Sequence, residues 1–230
     1  MSNLEVLAYE KTPIGMIGLR RRELLAVPGT IVTEITLDHE LLMSSYHTDS
    51  ERALSTRALE VHPGDELRTL VGGLGLGYTA SELLRSARVA RVDVIEFLPQ
   101  VIEWVREGLV PESAHIAGDD RLHIIEADVY ALLDGEPEQH YDLILIDVDH
   151  SPDERLGENN AGFYGEAGLG RTKRHLSPGG TLGVWSYEES PLFLATLRAA
   201  FGRVVAEPVT FENRFTNETE TNWVYLATDS

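Results

Sequence analysis

The sequence predicts an α/β fold: a Rossmann-like, mostly parallel sheet with an antiparallel last strand, preceded by a small N-terminal β region. Three observations carry this expectation. Short apolar runs alternate with helix-like segments from residue 67 onward. A glycine-rich stretch, Gly72-Gly73-Leu74-Gly75-Leu76-Gly77, separates the first of these runs from its helix. The run Tyr141-Asp142-Leu143-Ile144-Leu145-Ile146-Asp147 is almost wholly apolar, as a strand buried on both faces requires.

Each element follows from local chemistry. Residues 14–19 and the β-branched run 31–37 read as strands separated by the turn Pro28-Gly29. Thr48-Asp49-Ser50-Glu51 has the polar and acidic character of a helix start, and the helix runs to about residue 60. His62-Pro63-Gly64-Asp65 is a turn and marks a boundary. Residues 1–45 are therefore expected as the β region, 46–66 as a connecting helix and turn, and 67–230 as a ligand-binding domain. Within the last, strands are expected at 67–71, 91–96, 122–126, 141–147 and 181–185, with two closing strands at 204–209 and 223–227. Helices are expected at 78–86, 99–107, 162–175 and 191–201, the second with Pro99 in its first turn, where proline is tolerated. Ser177-Pro178-Gly179-Gly180 reads as a tight turn. The segment 207–222 is left as a hairpin tip, a dimer contact or a lid.

Composition narrows the partners. The 230 residues hold 19 Lys+Arg against 38 Asp+Glu, a formal charge of −19. Such a surface repels phosphate backbones and anionic membranes, so neither nucleic acid nor membrane is an expected partner. Cysteine is absent, which removes disulfides, thiolate nucleophiles and Cys-based zinc sites. The first residues lack the basic start and apolar run of a signal peptide, and no apolar run approaches the roughly 20 residues needed to span a bilayer. The expected location is the cytoplasm.

The glycine loop sits where a ligand can approach the backbone closely, and Gly72, Gly73, Gly75 and Gly77 are the candidate loop contacts. Glu96 ends the next strand, 19 positions after Gly77. That is near the spacing of roughly 20 at which a carboxylate holds a ribose diol. Asp128, just past the third strand, is placed to accept from an adenine amino group or to cap the helix that follows. Together these residues read as a nucleoside site. The spacing of the loop differs from Gly-x-Gly-x-x-Gly, which disfavours a nicotinamide dinucleotide.

The loop Asp147-Val148-Asp149-His150 follows the strongest strand, and ligands in open α/β sheets bind outside strand carboxyl ends. Asp147, Asp149 and His150 are the candidate catalytic residues. A carboxylate there can orient an ammonium or take a proton as an amine becomes a nucleophile, and a histidine can act as a base near neutral pH. No metal is expected, since no further ligand group accompanies the carboxylates. Met43, Ser44, Ser45, Tyr46, Trp185 and Tyr187 are expected to line the substrate side.

The segments Val71 to Gly77, Val94-Ile95-Glu96, Glu126-Ala127-Asp128, Tyr141 to Asp147 and Leu176-Ser177-Pro178-Gly179-Gly180 resemble the class I S-adenosylmethionine-dependent methyltransferase superfamily. Within it the chain is most similar to the spermidine synthase (polyamine aminopropyltransferase) family, as a divergent member. The resemblance implies S-adenosylmethionine, or its decarboxylated form, at the glycine loop with Glu96 and Asp128. It also implies a small acceptor, cationic in the polyamine enzymes, and a homodimer, the state common among related enzymes. The chain departs from the family in four places: the family's glutamine after its Leu-Asp-Gly turn has only Leu42 near it, its Tyr-His-Glu is absent, and two further changes fall in the site loops. Aminopropyltransferases carry an aspartate in the glycine loop where this chain has Leu74, and their Asp-Ser-Ser-Asp-Pro loop becomes Asp-Val-Asp-His-Ser-Pro. An ammonium is costly to desolvate without a charge partner. The loss at Leu74 therefore favours methyl transfer from ordinary S-adenosylmethionine, with aminopropyl transfer as the alternative and a catalytically inactive nucleoside-binding protein as the second.

Overall fold

The computed structural model describes residues 4–148, 150–153, 162–213 and 218–229. The chain opens with four antiparallel strands, β1 (Leu4–Thr12), β2 (Gly15–Glu23), β3 (Ile31–Leu37) and β4 (Glu40–Ser44), which form one sheet in sequence order. Two of these were expected; β1 and β4 were not. β1 alternates poorly because Leu4, Val6 and Tyr9 remain exposed, so its strand state comes from pairing with β2 and not from burial. Glu34 on β3 is buried and carries paired bonds from Arg20 (2.8 Å) and Arg22 (2.9 Å) of the neighbouring strand. Burial alone would raise its pKa, but the two guanidinium groups outweigh that and lower it.

Helix α1 (Asp49–Val61) buries Leu54 and Ala58, one turn apart, and its Ser55 hydroxyl donates to the Thr79 carbonyl at 2.8 Å. It packs against both the next helix and the second sheet. That sheet has seven strands. β5 (Leu67–Gly72), β6 (Val89–Glu96), β7 (Leu122–Glu126), β8 (Tyr141–Ile146) and β9 (Leu176–Ser186) run parallel. β10 (Arg203–Asn213) and β11 (Glu218–Thr228) form a hairpin, with β11 antiparallel to both β10 and β9. The spatial order is β10-β11-β9-β8-β5-β6-β7. The expected mostly parallel sheet with an antiparallel last strand is what the chain forms.

The strand order reverses at β5, which pairs with β6 on one side and β8 on the other. A crevice opens at such a switch point, outside the carboxyl ends of the strands. Helices α2 (Tyr78–Leu84), α3 (Pro99–Arg106), α4 (Ser113–Ile116), α5 (Val129–Asp134), α6 (Glu166–Arg174) and α7 (Pro191–Ala200) flank the sheet. Leu143, Ile144 and Leu145 are fully buried on alternating faces of β8, and each contributes on the order of 1.5–3 kcal/mol.

Three local expectations need correction. The helix expected from residue 162 starts at Glu166, consistent with the glycines that weaken its first turn. Ser177-Pro178-Gly179-Gly180 is not a turn between elements but a bulge inside β9. Its register jumps from Tyr141↔Leu176 to Leu143↔Thr181, and Gly179 takes φ +78°. The closing strands, expected at 204–209 and 223–227, run to 11 residues each, so most of 207–222 is hairpin, one of the readings left open for it. Residues 214–217 of its tip lie outside the described residues. Among the described residues no helix is long and apolar enough to cross a membrane.

Candidate active site

A cavity of about 400 Å³ lies at the strand-order switch, between the carboxyl ends of the large sheet, the head of α1 and the N-terminal sheet. The glycine loop forms one wall. Gly73 takes φ +92°, and a side chain there would run into the carbonyl oxygen of Asp147. Gly75 takes φ +49°, and a Cβ would sit 2.6 Å from the Met43 sulfur, which reaches over from β4. Gly73 and Gly75 line the cavity. Gly72 ends β5, and Gly77 is the N-cap of α2, so these two shape the loop without facing the cavity.

Glu96 is buried at the end of β6, and both its oxygens are engaged. Oε2 accepts from the Leu74 N–H at 2.9 Å and Oε1 from the Leu98 N–H at 2.8 Å. Burial raises its pKa, against the pull of those backbone bonds. The residue that sequence spacing marks for a ribose is thus also the brace of the glycine loop. Asp128 does cap the next helix: its Oδ1 accepts from Tyr130 N at 2.8 Å and Ala131 N at 3.3 Å. It also lines the cavity, so the two readings of Asp128 are compatible.

Asp147 lies just past β8, fixed by its own N–H on the Gly72 carbonyl (2.9 Å). Its Oδ2 accepts from the Thr79 hydroxyl at 2.7 Å. Burial pushes its pKa up to about 6, and the Thr79 bond resists the shift. Near it is a carboxylate outside the residues that the sequence marked for the site. Glu51, in the first turn of α1, is 8% exposed and lines the same cavity. Its Oε2 accepts from Ser50 Oγ at 2.8 Å. Burial, and after it the charge of Asp147, raise Glu51 to about 7. The missed signal was its position: an acid one turn into a helix whose Leu54 and Ala58 are core residues is carried inward with them.

His150 lines the cavity, and its carbonyl accepts from Tyr187 N at 2.8 Å. Asp149 lies outside the described residues. Met43, Ser44 and Trp185 line the cavity as expected. Ser45, Tyr46 and Tyr187 do not. The Ser45 hydroxyl accepts from Thr33 N within the N-terminal sheet, Tyr46 packs edge-on to His47, and Tyr187 is half exposed. His47 and Tyr78 join the wall instead. Burial lowers the pKa of His47 and pushes the Tyr78 phenol up to about 12. No lysine or arginine is among the described residues lining the cavity. No group of three or more metal-binding side chains is found among the described residues.

No family model matches the chain. Curated relatives do. It is 33% identical over 129 residues to "Polyamine aminopropyltransferase 2" of Streptomyces coelicolor, covering 54% of this chain and 23% of that protein. It is 29% identical over 192 residues to a "Polyamine aminopropyltransferase" of Clostridium acetobutylicum, covering 82% of this chain and 62% of that one. The chain thus spans less than two thirds of either relative. Among solved structures, a spermidine synthase in complex with the transition-state analogue AdoDATO superposes with a TM-score of 0.77 at 18% identity, covering 98% of this chain and 74% of that one. The spermidine synthase of Thermotoga maritima superposes at 0.74 and 17%, covering 98% and 72%. These likenesses show the fold. The expectation of methyl transfer is overturned, because the curated relatives are named for aminopropyl transfer. It rested on the missing charge at Leu74, and a buried carboxylate on α1 lies in the same cavity. In sequence and in fold, the chain is a spermidine synthase-like protein with a class I methyltransferase-like sheet.

Proposed function

We propose that the chain transfers an aminopropyl group from decarboxylated S-adenosylmethionine to a small cationic amine. The observation that carries this reading is the cavity itself: it joins a glycine loop to buried carboxylates and has no lysine or arginine among its described lining. A sulfonium with an ammonium-bearing arm, and an amine acceptor, are ligands whose charge suits such a wall.

In this reading the glycine loop and Glu96 hold the adenosine. Glu96 lines the cavity at the end of β6, where a carboxylate suits a ribose diol. Asp128 caps α5 with Oδ1, and its other oxygen serves an adenine amino group. The acceptor nitrogen attacks the propyl carbon next to the sulfonium. A C–N bond forms as the C–S bond breaks, and the electron pair of that bond leaves with sulfur as methylthioadenosine. The attacking amine must first lose a proton, and Asp147 takes it, held in place by Thr79. The sulfonium is already a good leaving group, so the protein mainly supplies alignment and exclusion of water.

The test is direct. Incubation with decarboxylated S-adenosylmethionine and 1,4-diaminobutane should release methylthioadenosine, detected by chromatography, and replacing the donor with S-adenosylmethionine should not. Absence of methylthioadenosine across a series of di- and polyamines would refute the proposal.

A further inference from the structure

We propose that Glu51 seats the primary ammonium of the aminopropyl arm, supplying from α1 the charge that Leu74 does not supply from the glycine loop and leaving Asp147 to the acceptor amine. The inference rests on the aminopropyl reading above and names the subsite within it.

An acid in the first turn of a helix gains its stabilisation from the helix dipole while exposed to water, so nothing about capping calls for burying it. Glu51 is nonetheless buried, near enough to the half-buried Asp147 for that charge to raise its pKa. Two such groups in one low-dielectric wall repel each other unless a proton or a cation intervenes. No lysine or arginine is among the described residues lining the cavity, and Arg52, next along α1 and over the Tyr78 ring, is paired with Glu82 and Glu112. From α1 come Asp49 and the Ser50 hydroxyl, the latter donating to Glu51 Oε2. From α2 come Tyr78 and Thr79, the latter donating to Asp147 Oδ2 and lying 3.5 Å from the Glu51 carbonyl oxygen. Among the described residues, His47 and His150 also belong to the titratable wall, with Glu96 and Asp128 on the nucleoside side. Burial lowers the pKa of His47 and so favours its neutral form.

Without a ligand, the pair therefore favours holding a proton: burial raises both carboxyls, and the charge of Asp147 raises Glu51 further. An arriving ammonium, whose own pKa lies near 10 in water, does that proton's work and displaces it. The neighbouring Leu74 is apolar and 5% exposed, so the loop contributes shape while the helix contributes charge.

Two thioethers separate the parts of this argument. Methylthioadenosine and S-adenosyl-3-thiopropylamine share the adenosyl thioether, and only the second carries the ammonium arm. Calorimetry at about pH 6.5 in buffers of different ionisation enthalpy should show wild type releasing a large fraction of a proton on binding the thiopropylamine and almost none on binding methylthioadenosine. Glu51→Gln should abolish that release. It should also weaken the thiopropylamine about tenfold or more while changing methylthioadenosine by less than about twofold. Equal weakening of both ligands would make Glu51 a structural group and overturn the inference. So would wild type binding the thiopropylamine without proton release, a result that needs no variant to fold. Failure of wild type to bind either compound would refute the nucleoside reading itself, and this inference with it.

Discussion

Replacing Glu51 with glutamine should make the protein more stable at alkaline pH, because the site holds a charge that the fold alone would not choose to bury. The carboxyl moves from 4.5 in the unfolded chain to about 7 in the folded one, driven first by burial and then by Asp147. Between those values the native state binds more protons than the unfolded state, so stability falls as pH rises. Below about pH 4 both states are protonated and the contribution to the pH dependence vanishes. Well above pH 7 the full cost is present, and a displacement of that size corresponds to about 3 kcal/mol. This is an upper value, because Glu51 and Asp147 titrate as a pair. Glutamine keeps the shape and the acceptor for Ser50 but never ionises. Urea unfolding at pH 5, 6.5 and 8 should therefore show a Glu51→Gln advantage that is small at the lowest pH and grows to about 2–3 kcal/mol at the highest. An advantage independent of pH, or a variant less stable than wild type at pH 8, would refute the reasoning.

Three further outcomes follow from the same contacts. Thr79→Val removes the hydroxyl that favours the ionised form of Asp147, so the acid limb of the kcat/KM profile should move upward by about one pH unit, and Thr79→Ser should restore it. Glu96→Ala strands the Leu74 and Leu98 amides; it should lower stability by about 2–4 kcal/mol and methylthioadenosine affinity by at least about tenfold, read by urea unfolding and calorimetry. Gly75→Ala adds a Cβ 2.6 Å from the Met43 sulfur at φ +49°, which should cost about 1–3 kcal/mol; Gly75→Ala with Met43→Ala should lose less than the sum of the single losses, a coupling visible in a double-mutant cycle.

The parts of the fold that burial dictates were legible in the sequence. β8 reads as a strand covered on both faces because Leu143 to Ile146 leave no polar face for water, and it stands at the centre of the sheet. The parts that pairing dictates were not. β1 keeps Leu4, Val6 and Tyr9 exposed, and much of the β10–β11 hairpin is polar; both are strands because a neighbour completes their hydrogen bonds. The bulge in β9 looked like a turn because proline and glycine mark both. That Glu96, Asp128 and Asp147 line the cavity was legible because each sits at a strand end, where open α/β sheets form their crevice. Glu51 was missed because it reaches the cavity from another layer. Which way a helix-start acid faces depends on how α1 docks, and local sequence does not encode docking.

That division between loop and helix suggests a reconstruction. If Glu51 carries the charge that the related enzymes place in the glycine loop, moving the carboxylate back should be feasible, since Leu74 and Glu51 line one cavity. Leu74→Asp alone adds a third carboxylate to an already repelling pair. It should destabilise the protein by several kcal/mol at pH 8 and raise the acid limb of its pH profile. Leu74→Asp combined with Glu51→Gln keeps the carboxylate count of wild type. That double variant should bind S-adenosyl-3-thiopropylamine more tightly than Glu51→Gln alone, regaining up to about 1–2 kcal/mol of the loss, and should again release protons on binding. Methylthioadenosine, lacking the ammonium, should not distinguish the two variants by calorimetry. If the double variant binds the thiopropylamine no better than Glu51→Gln, while both remain folded by circular dichroism, the two positions do not share one role. Glu51 would then act on something other than the arm of the donor, such as the acceptor amine, and the charge missing at Leu74 would not have been relocated at all.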